Sequence, residues 1–186
     1  MNRIHLWYCG SDRWSRRVEQ QLIPWALKGL DLGPAALELG PGLGVTTRLL
    51  TTRVAALTAV EIDGALAARL GRTMAGQLRI VQGDATALPL PDRTFDSVVC
   101  FTMLHHLPSP EAQDRLFAEA LRVLRPGGIF AGSDSLPSLR FRIYHLADTM
   151  TPVDPAALPE RLTAAGFTDV AVASARRAFR FHARRS

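Results

Sequence analysis

Cysteine is scarce in this 186-residue chain: only Cys9 and Cys100 occur, far apart and without Cys-x-x-Cys or zinc-like spacing. That excludes a disulfide framework and a cysteine-built metal site, and it points to a reducing compartment. Lysine is scarcer, with Lys28 alone, and no tyrosine stands four residues before it. The Tyr-x-x-x-Lys pair of one class of nicotinamide oxidoreductases is therefore impossible. No apolar run approaches the ~20 residues that a membrane helix needs. The stretch Leu6–Cys9, with Arg3 before it and Asp12 and Arg13 after, is too short for a signal-peptide core. The cytoplasm is the expected location. Internal repeats and low-complexity tracts are also missing.

What is present fits one soluble domain of ordinary size, 47% hydrophobic and 21% charged. The net charge of +5 invites a nucleic-acid partner. Its location argues otherwise, because Arg176, Arg177, Arg180, Arg184 and Arg185 at the C-terminus alone equal the excess. With arginine almost the only base and alanine abundant, the stretch reads as compositional bias and a solvated tail, not a binding patch.

Residues 12–29 have the spacing of an amphipathic helix, with Trp14, Val18, Leu22 and Trp25 on one face. Pro24 within it predicts a kink or a break. Short apolar runs then alternate with helical patterns. Strands are expected over 35–39, 55–62, 78–82, 95–101 and 128–133, with helices over 45–52, 64–74 and 110–124. This alternation predicts a parallel sheet covered by helices on both faces. A helix over 155–165 follows, then strand-like pieces at 169–173 and 178–183. The short link between these two forces an antiparallel pair, so the sheet should be mixed.

The sharpest motif is Glu38-Leu39-Gly40-Pro41-Gly42-Leu43-Gly44, leaving a strand and entering a helix. Glycines serve where backbone turns tightly and a ligand approaches it closely. A glycine-rich turn alone is common to many nucleotide binders. Here the spacing is G-x-G-x-G, and an acidic residue precedes it. A carboxylate at Glu38 would repel a pyrophosphate but suits a ligand with a cationic amino-acid end and no phosphate, such as S-adenosylmethionine. At the end of the next strand, Glu61 is placed to accept from both ribose hydroxyls, with Ile62 beside it. Asp63 reads as the cap of the following helix. After the third strand, Asp84 can accept from an adenine amine while Ala85 offers apolar surface. All three sites fall at the C-terminal ends of successive strands, where open α/β sheets bind ligands.

With these motifs in hand, the sequence resembles the class I S-adenosylmethionine-dependent methyltransferases, and within them the small-molecule group that includes quinone-biosynthesis enzymes. The matching stretches are LELGPGLG (37–44), AVEID (59–63), GDATALPLP (83–91), FDSVVCFTMLHHL (95–107) and LRVLRPGG (121–128). The resemblance implies a Rossmann-like α/β three-layer sandwich whose mixed seven-stranded sheet has an antiparallel last strand. It implies that Glu38, Gly40 and Gly42 border the methionine end, Glu61 the ribose, Asp84 and Ala85 the adenine, and Thr102 the pocket edge, with Gly44 and Ile62 also among the cofactor-binding residues. Residues 1–30 would form an N-terminal helical cap, 35–135 the cofactor core, and 136–186 a substrate-side segment with a C-terminal β-hairpin.

Methyl transfer from a sulfonium is an in-line displacement that mainly requires placing the nucleophile and excluding water. A base is needed only if the acceptor must lose a proton. His106, or His105, is the candidate, against a purely structural role for both. Asp134, Arg140 and Tyr144 are candidate acceptor contacts, Arg140 for an anionic group, and Trp7, Tyr8 and Trp14 are candidates to roof an apolar pocket. No metal is expected. The acceptor is expected to be a small molecule, with RNA or binding without turnover as the alternatives. The chain is small for a separate lid, so the pocket is expected to be open or completed by a second copy in a homodimer.

Overall fold

In a computed structural model, residues 9–138 and 150–186 are described. Among the described residues, α1 (Asp12–Arg17) leads into a π-helical turn (Val18–Leu22) and α2 (Ile23–Ala26). There follow β1 (Ala35–Leu39), α3 (Val45–Leu50), β2 (Ala56–Glu61), α4 (Gly64–Thr73), β3 (Arg79–Gln82) and β4 (Phe95–Phe101). A 3₁₀ turn (Leu104–His106) leads to α5 (Pro110–Val123), β5 (Leu124–Ser135), α6 (Leu158–Ala164), β6 (Phe167–Ser174) and β7 (Ala178–Arg185). One seven-stranded sheet holds them in the order β3-β2-β1-β4-β5-β7-β6. The first five strands are parallel, and β7 runs antiparallel between β5 and β6.

Parallel strands are buried on both faces, which is why β4 reads FDSVVCF without clean alternation. Its Val98 and Cys100 enter one apolar cluster with Phe117, Phe130, Phe167, Phe179 and Phe181. Val99 and Phe101 enter a second, under Val18, Leu22, Ile23 and Leu50. Helix termini follow side-chain caps: Asp63 Oδ1 accepts from Ala65 N–H (2.8 Å) and Leu66 N–H (3.1 Å), and Ser109 Oγ accepts from Ala112 N–H.

Two features add to or depart from expectation. The break expected at Pro24 takes the form of α, π and α in succession. Pro24 has no N–H to continue the ladder, and the turn before it widens so that Ile23 N–H donates to Val18 O. The C-terminal arginines are also not all solvated. Arg180 donates to Trp25 O (2.5 Å) and lies over the Trp25 ring. Arg185 Nη1 donates to Leu121 O, Arg122 O and Leu124 O at 2.6, 3.0 and 2.8 Å. A cation at the end of α5 answers both the orphan carbonyls and the helix dipole. Among the described residues, no helix is long and apolar enough to cross a membrane.

Hydrogen bonds to a charged group are worth about 1.5–3 kcal/mol, and 1 kcal/mol moves the midpoint of a domain this size by roughly 2–4 °C. Arg185→Met should therefore lower the thermal midpoint by several degrees in circular dichroism. An unchanged midpoint would mean that the α5 carbonyls do not need this partner.

Candidate active site

Residues from the C-terminal ends of β1, β2 and β4 and from the loop after β3 surround one cavity of about 720 Å³. The loop after β1 forms its floor. Gly40, Gly42 and Gly44 all have positive φ, at 67°, 54° and 78°, a region L side chains avoid. A Cβ on Gly40 would also lie 2.5 Å from Met103 Cγ, so this close approach admits no larger residue. Gly40 and Gly42 line the cavity. Gly44 does not: it caps α3 and packs against Leu70, so its role is in the turn itself.

Glu61 faces the cavity and braces the loop from the neighbouring strand. Its Oε2 accepts the Gly42 N–H at 2.9 Å and its Oε1 the Asp63 N–H at 3.0 Å. Glu38 lies beneath the loop, 1% exposed, and not on the cavity surface. Thr46 Oγ1 donates to its Oε1, while Oε2 is buried with no hydrogen-bond partner. Burial pushes this carboxyl up to about 7; the Thr46 hydrogen bond and the nearby Thr47 hydroxyl pull it down, and nearby Glu61 adds a smaller rise. A buried carboxyl with one unpaired oxygen, lying under a loop that lines the cavity, fits a ligand that brings a cation.

Asp84 spends one oxygen on its own turn, Oδ1 accepting from Thr86 N–H (2.8 Å) and Thr86 Oγ1 (2.9 Å). Asp84, Ala85 and Ile62 line the cavity. Ile62, 68% exposed, is the one large exposed hydrophobic side chain among the described residues. Thr102 lines it too, with φ 51°, an uncommon value for a non-glycine residue that marks local strain. Its N–H donates to Ser133 O and its hydroxyl to Phe101 O, both at 2.8 Å.

The paired histidines part company. His106 lines the cavity, whereas His105 is 2% exposed and turned away from it. Asp134, expected to meet the acceptor, is likewise turned inward: it is 1% exposed and 2.5 Å from His105 Nδ1. A carboxylate at the end of a central strand finds its donors in the core, not in the open pocket. Arg140 and Tyr144 lie outside the described residues, as do Trp7 and Tyr8. Trp14 lines the cavity, together with Cys9, Met103 and Arg115, which sequence reasoning passed over. Nothing in helical periodicity separates Arg115 from any other exposed helix residue. Burial raises the Cys9 thiol to about 11, and burial with nearby Asp134 raises Cys100 well above its ordinary value. Neither is a thiolate at neutral pH. Among the described residues, no three His, Cys, Asp or Glu side chains are grouped to hold a metal.

A family profile described as "Methyltransferase domain" matches residues 37–132. A fatty-acid O-methyltransferase from Mycolicibacterium smegmatis is 39% identical over 109 residues, 56% of this chain and 38% of that protein. A probable S-adenosylmethionine-dependent methyltransferase from the same organism is 33% identical over 162 residues, 83% of this chain and 59% of its own length. The chain thus spans well under two thirds of either relative. In fold it is similar to an S-adenosylmethionine-dependent methyltransferase structure from Archaeoglobus fulgidus, with a TM-score of 0.75 at 19% identity, covering 99% of this chain and 100% of that one. Relatives named for a fatty acid and for ribosomal RNA both match, so likeness alone does not name an acceptor.

The Glu38 carboxyl has a pH signature. It titrates at about 7 in the native state, against an ordinary value of 4.5. Its contribution to stability is full below pH ~4.5, is lost as pH rises towards ~7, and amounts to about 3 kcal/mol. Glu38→Gln should flatten this fall in urea unfolding of the ligand-free protein across pH 5–8. A variant with the wild-type slope would contradict a buried, raised carboxyl at this position.

Proposed function

This chain belongs to the methyltransferase domain family, and on that premise we propose that it transfers a methyl group from S-adenosylmethionine to a small-molecule acceptor. The observation that carries this is the cavity at the strand ends, in which the loop and acidic residues suited to the cofactor share one wall space with Cys9, Trp14, Met103, His106 and Leu107. An apolar enclosure with a few convergent polar groups is the ordinary form of a small-ligand site.

S-adenosylmethionine, when bound, supplies a methyl group already activated on a sulfonium. The residues present fit it. Glu61 would hold the ribose hydroxyls and Asp84 the adenine amine, with Ile62 and Ala85 against the base. The loop Gly40–Leu43, backed by Glu38, would take the cationic amino-acid end. Trp14, Met103 and Leu107 exclude water from the remaining space, and Thr102 bounds it. His106 is the one histidine lining the cavity among the described residues. An imidazole nitrogen there accepts the proton of a weakly acidic acceptor group such as a phenol near neutral pH. A carboxylic acid, already ionised at that pH, would need no such help.

The experiment is incubation with methyl-labelled S-adenosylmethionine and, in parallel, a panel of apolar carboxylic acids and phenols and a bulk RNA preparation. Label is expected in the small-molecule arm. Label confined to RNA would overturn the small-molecule acceptor, and none in either arm would favour binding without turnover. On the labelled acceptor, His106→Ala should reduce turnover by about 10²-fold or more if its ring is the base, with cofactor affinity unchanged. Near-normal turnover would remove it from that role.

A further inference from the structure

His105 and Asp134, two buried ionisable side chains beside the cavity, have no part in the chemistry above. Asp134 Oδ2 accepts the His105 backbone N–H at 3.0 Å, and its Oδ1 lies 2.5 Å from His105 Nδ1 and accepts the Ser135 N–H at 2.6 Å. With Asp134 ionised, its oxygens only accept, and the proton in this contact is carried on His105 Nδ1. Burying such a pair costs several kcal/mol in desolvation, and apolar residues of the same volume would fill the space at least as well. Filling space is therefore a poor explanation for it.

The pair sits at the centre of a polar network around the 3₁₀ turn. His105 O accepts the Thr151 N–H at 2.8 Å. The fully buried Gln113 donates from Nε2 to Leu104 O (3.1 Å) and Thr151 O (2.9 Å), and its Oε1 accepts from Arg161 Nη1 (2.9 Å). The turn is thus held from β5, from α5, and from the chain that enters α6. Hydrogen bonds that tie one turn to three separate elements restrict how it can move. The next residue, His106, reaches the cavity, with its ring centroid 4.2 Å from that of His105.

We propose that Asp134 and His105 are a positioning pair: they hold the turn so that the His106 imidazole stands against the cavity in one orientation, and they tie the chain at Thr151 to that turn. Neither lines the cavity. Their effect on the acceptor passes through His106, and in that respect the inference rests on the cavity being an acceptor site.

Imidazole NMR on the whole chain, with no ligand added, tests it. In the wild type, His105 should appear with its Nδ1 proton retained and protected from exchange, and His106 should have an ordered ring. In Asp134→Asn, the His105 signature should be lost and the His106 titration midpoint should move by about half a unit or more, which corresponds to about 0.7 kcal/mol. Asp134→Glu should recover part of both. An identical His106 midpoint and ring order in the wild type and Asp134→Asn, with circular dichroism showing both folded, overturns the proposal. If Asp134→Asn does not fold, the wild type decides alone: a His106 ring as mobile as an exposed histidine overturns it, and a rigid ring in contact with His105 supports it. Neither cofactor nor acceptor is in the sample, so failure here leaves methyl transfer standing, and failure of methyl transfer leaves the pair standing.

Discussion

The carboxylate of Glu61 joins the end of β2 to the glycine loop that leaves β1, and the shape of the cavity floor depends on that tie. Three glycines in a left-handed conformation give the loop its turn and leave it with little conformational preference of its own. The 2.9 Å bond from Gly42 N–H to Glu61 supplies the missing restraint. The same side chain faces the cavity, so one residue both shapes the loop and turns a carboxylate towards the cavity. Losing it would disturb the floor and the wall at once.

Around that tie, the protein keeps charge where an apolar core would be cheaper to build. Glu38 sits under the loop with one oxygen unsatisfied, and burial holds its carboxyl near 7. Asp134 and His105 are buried next to His106, which lines the cavity. Buried charges of this kind are poor stabilisers, and they cluster at sites where a ligand or a proton must be managed. The rest of the molecule is conventional by contrast: two apolar clusters clasp the sheet, and arginines on β7 finish helix ends.

The fold was largely readable in the sequence because its signals are local. The runs 35–39 and 95–101 coincide with β1 and β4, and the short link before residue 178 forced the antiparallel hairpin seen in β6 and β7. Glycine spacing and acidic residues at strand ends marked the loop, Glu61 and Asp84, all of which border the cavity. What was not readable depends on contacts between distant residues. The bond between Gly42 and Glu61, the inward turn of Asp134 onto His105 and the seating of Arg185 on α5 join positions 19, 29 and about 60 residues apart. The π turn before Pro24 was half-visible: proline announced a fault in the helix but not how the backbone would absorb it.

Calorimetric titration with S-adenosylhomocysteine is the most direct test that this cavity is an adenosyl site, using wild type, Glu61→Ala, and NAD as the control ligand. The structure predicts binding of the adenosyl ligand by the wild type, weakened about ten- to a hundredfold in the variant because hydrogen bonds to a charged group are lost, and no binding of NAD. No binding of S-adenosylhomocysteine by protein shown by mass spectrometry to be free of co-purified ligand, or equal binding by Glu61→Ala, would contradict it.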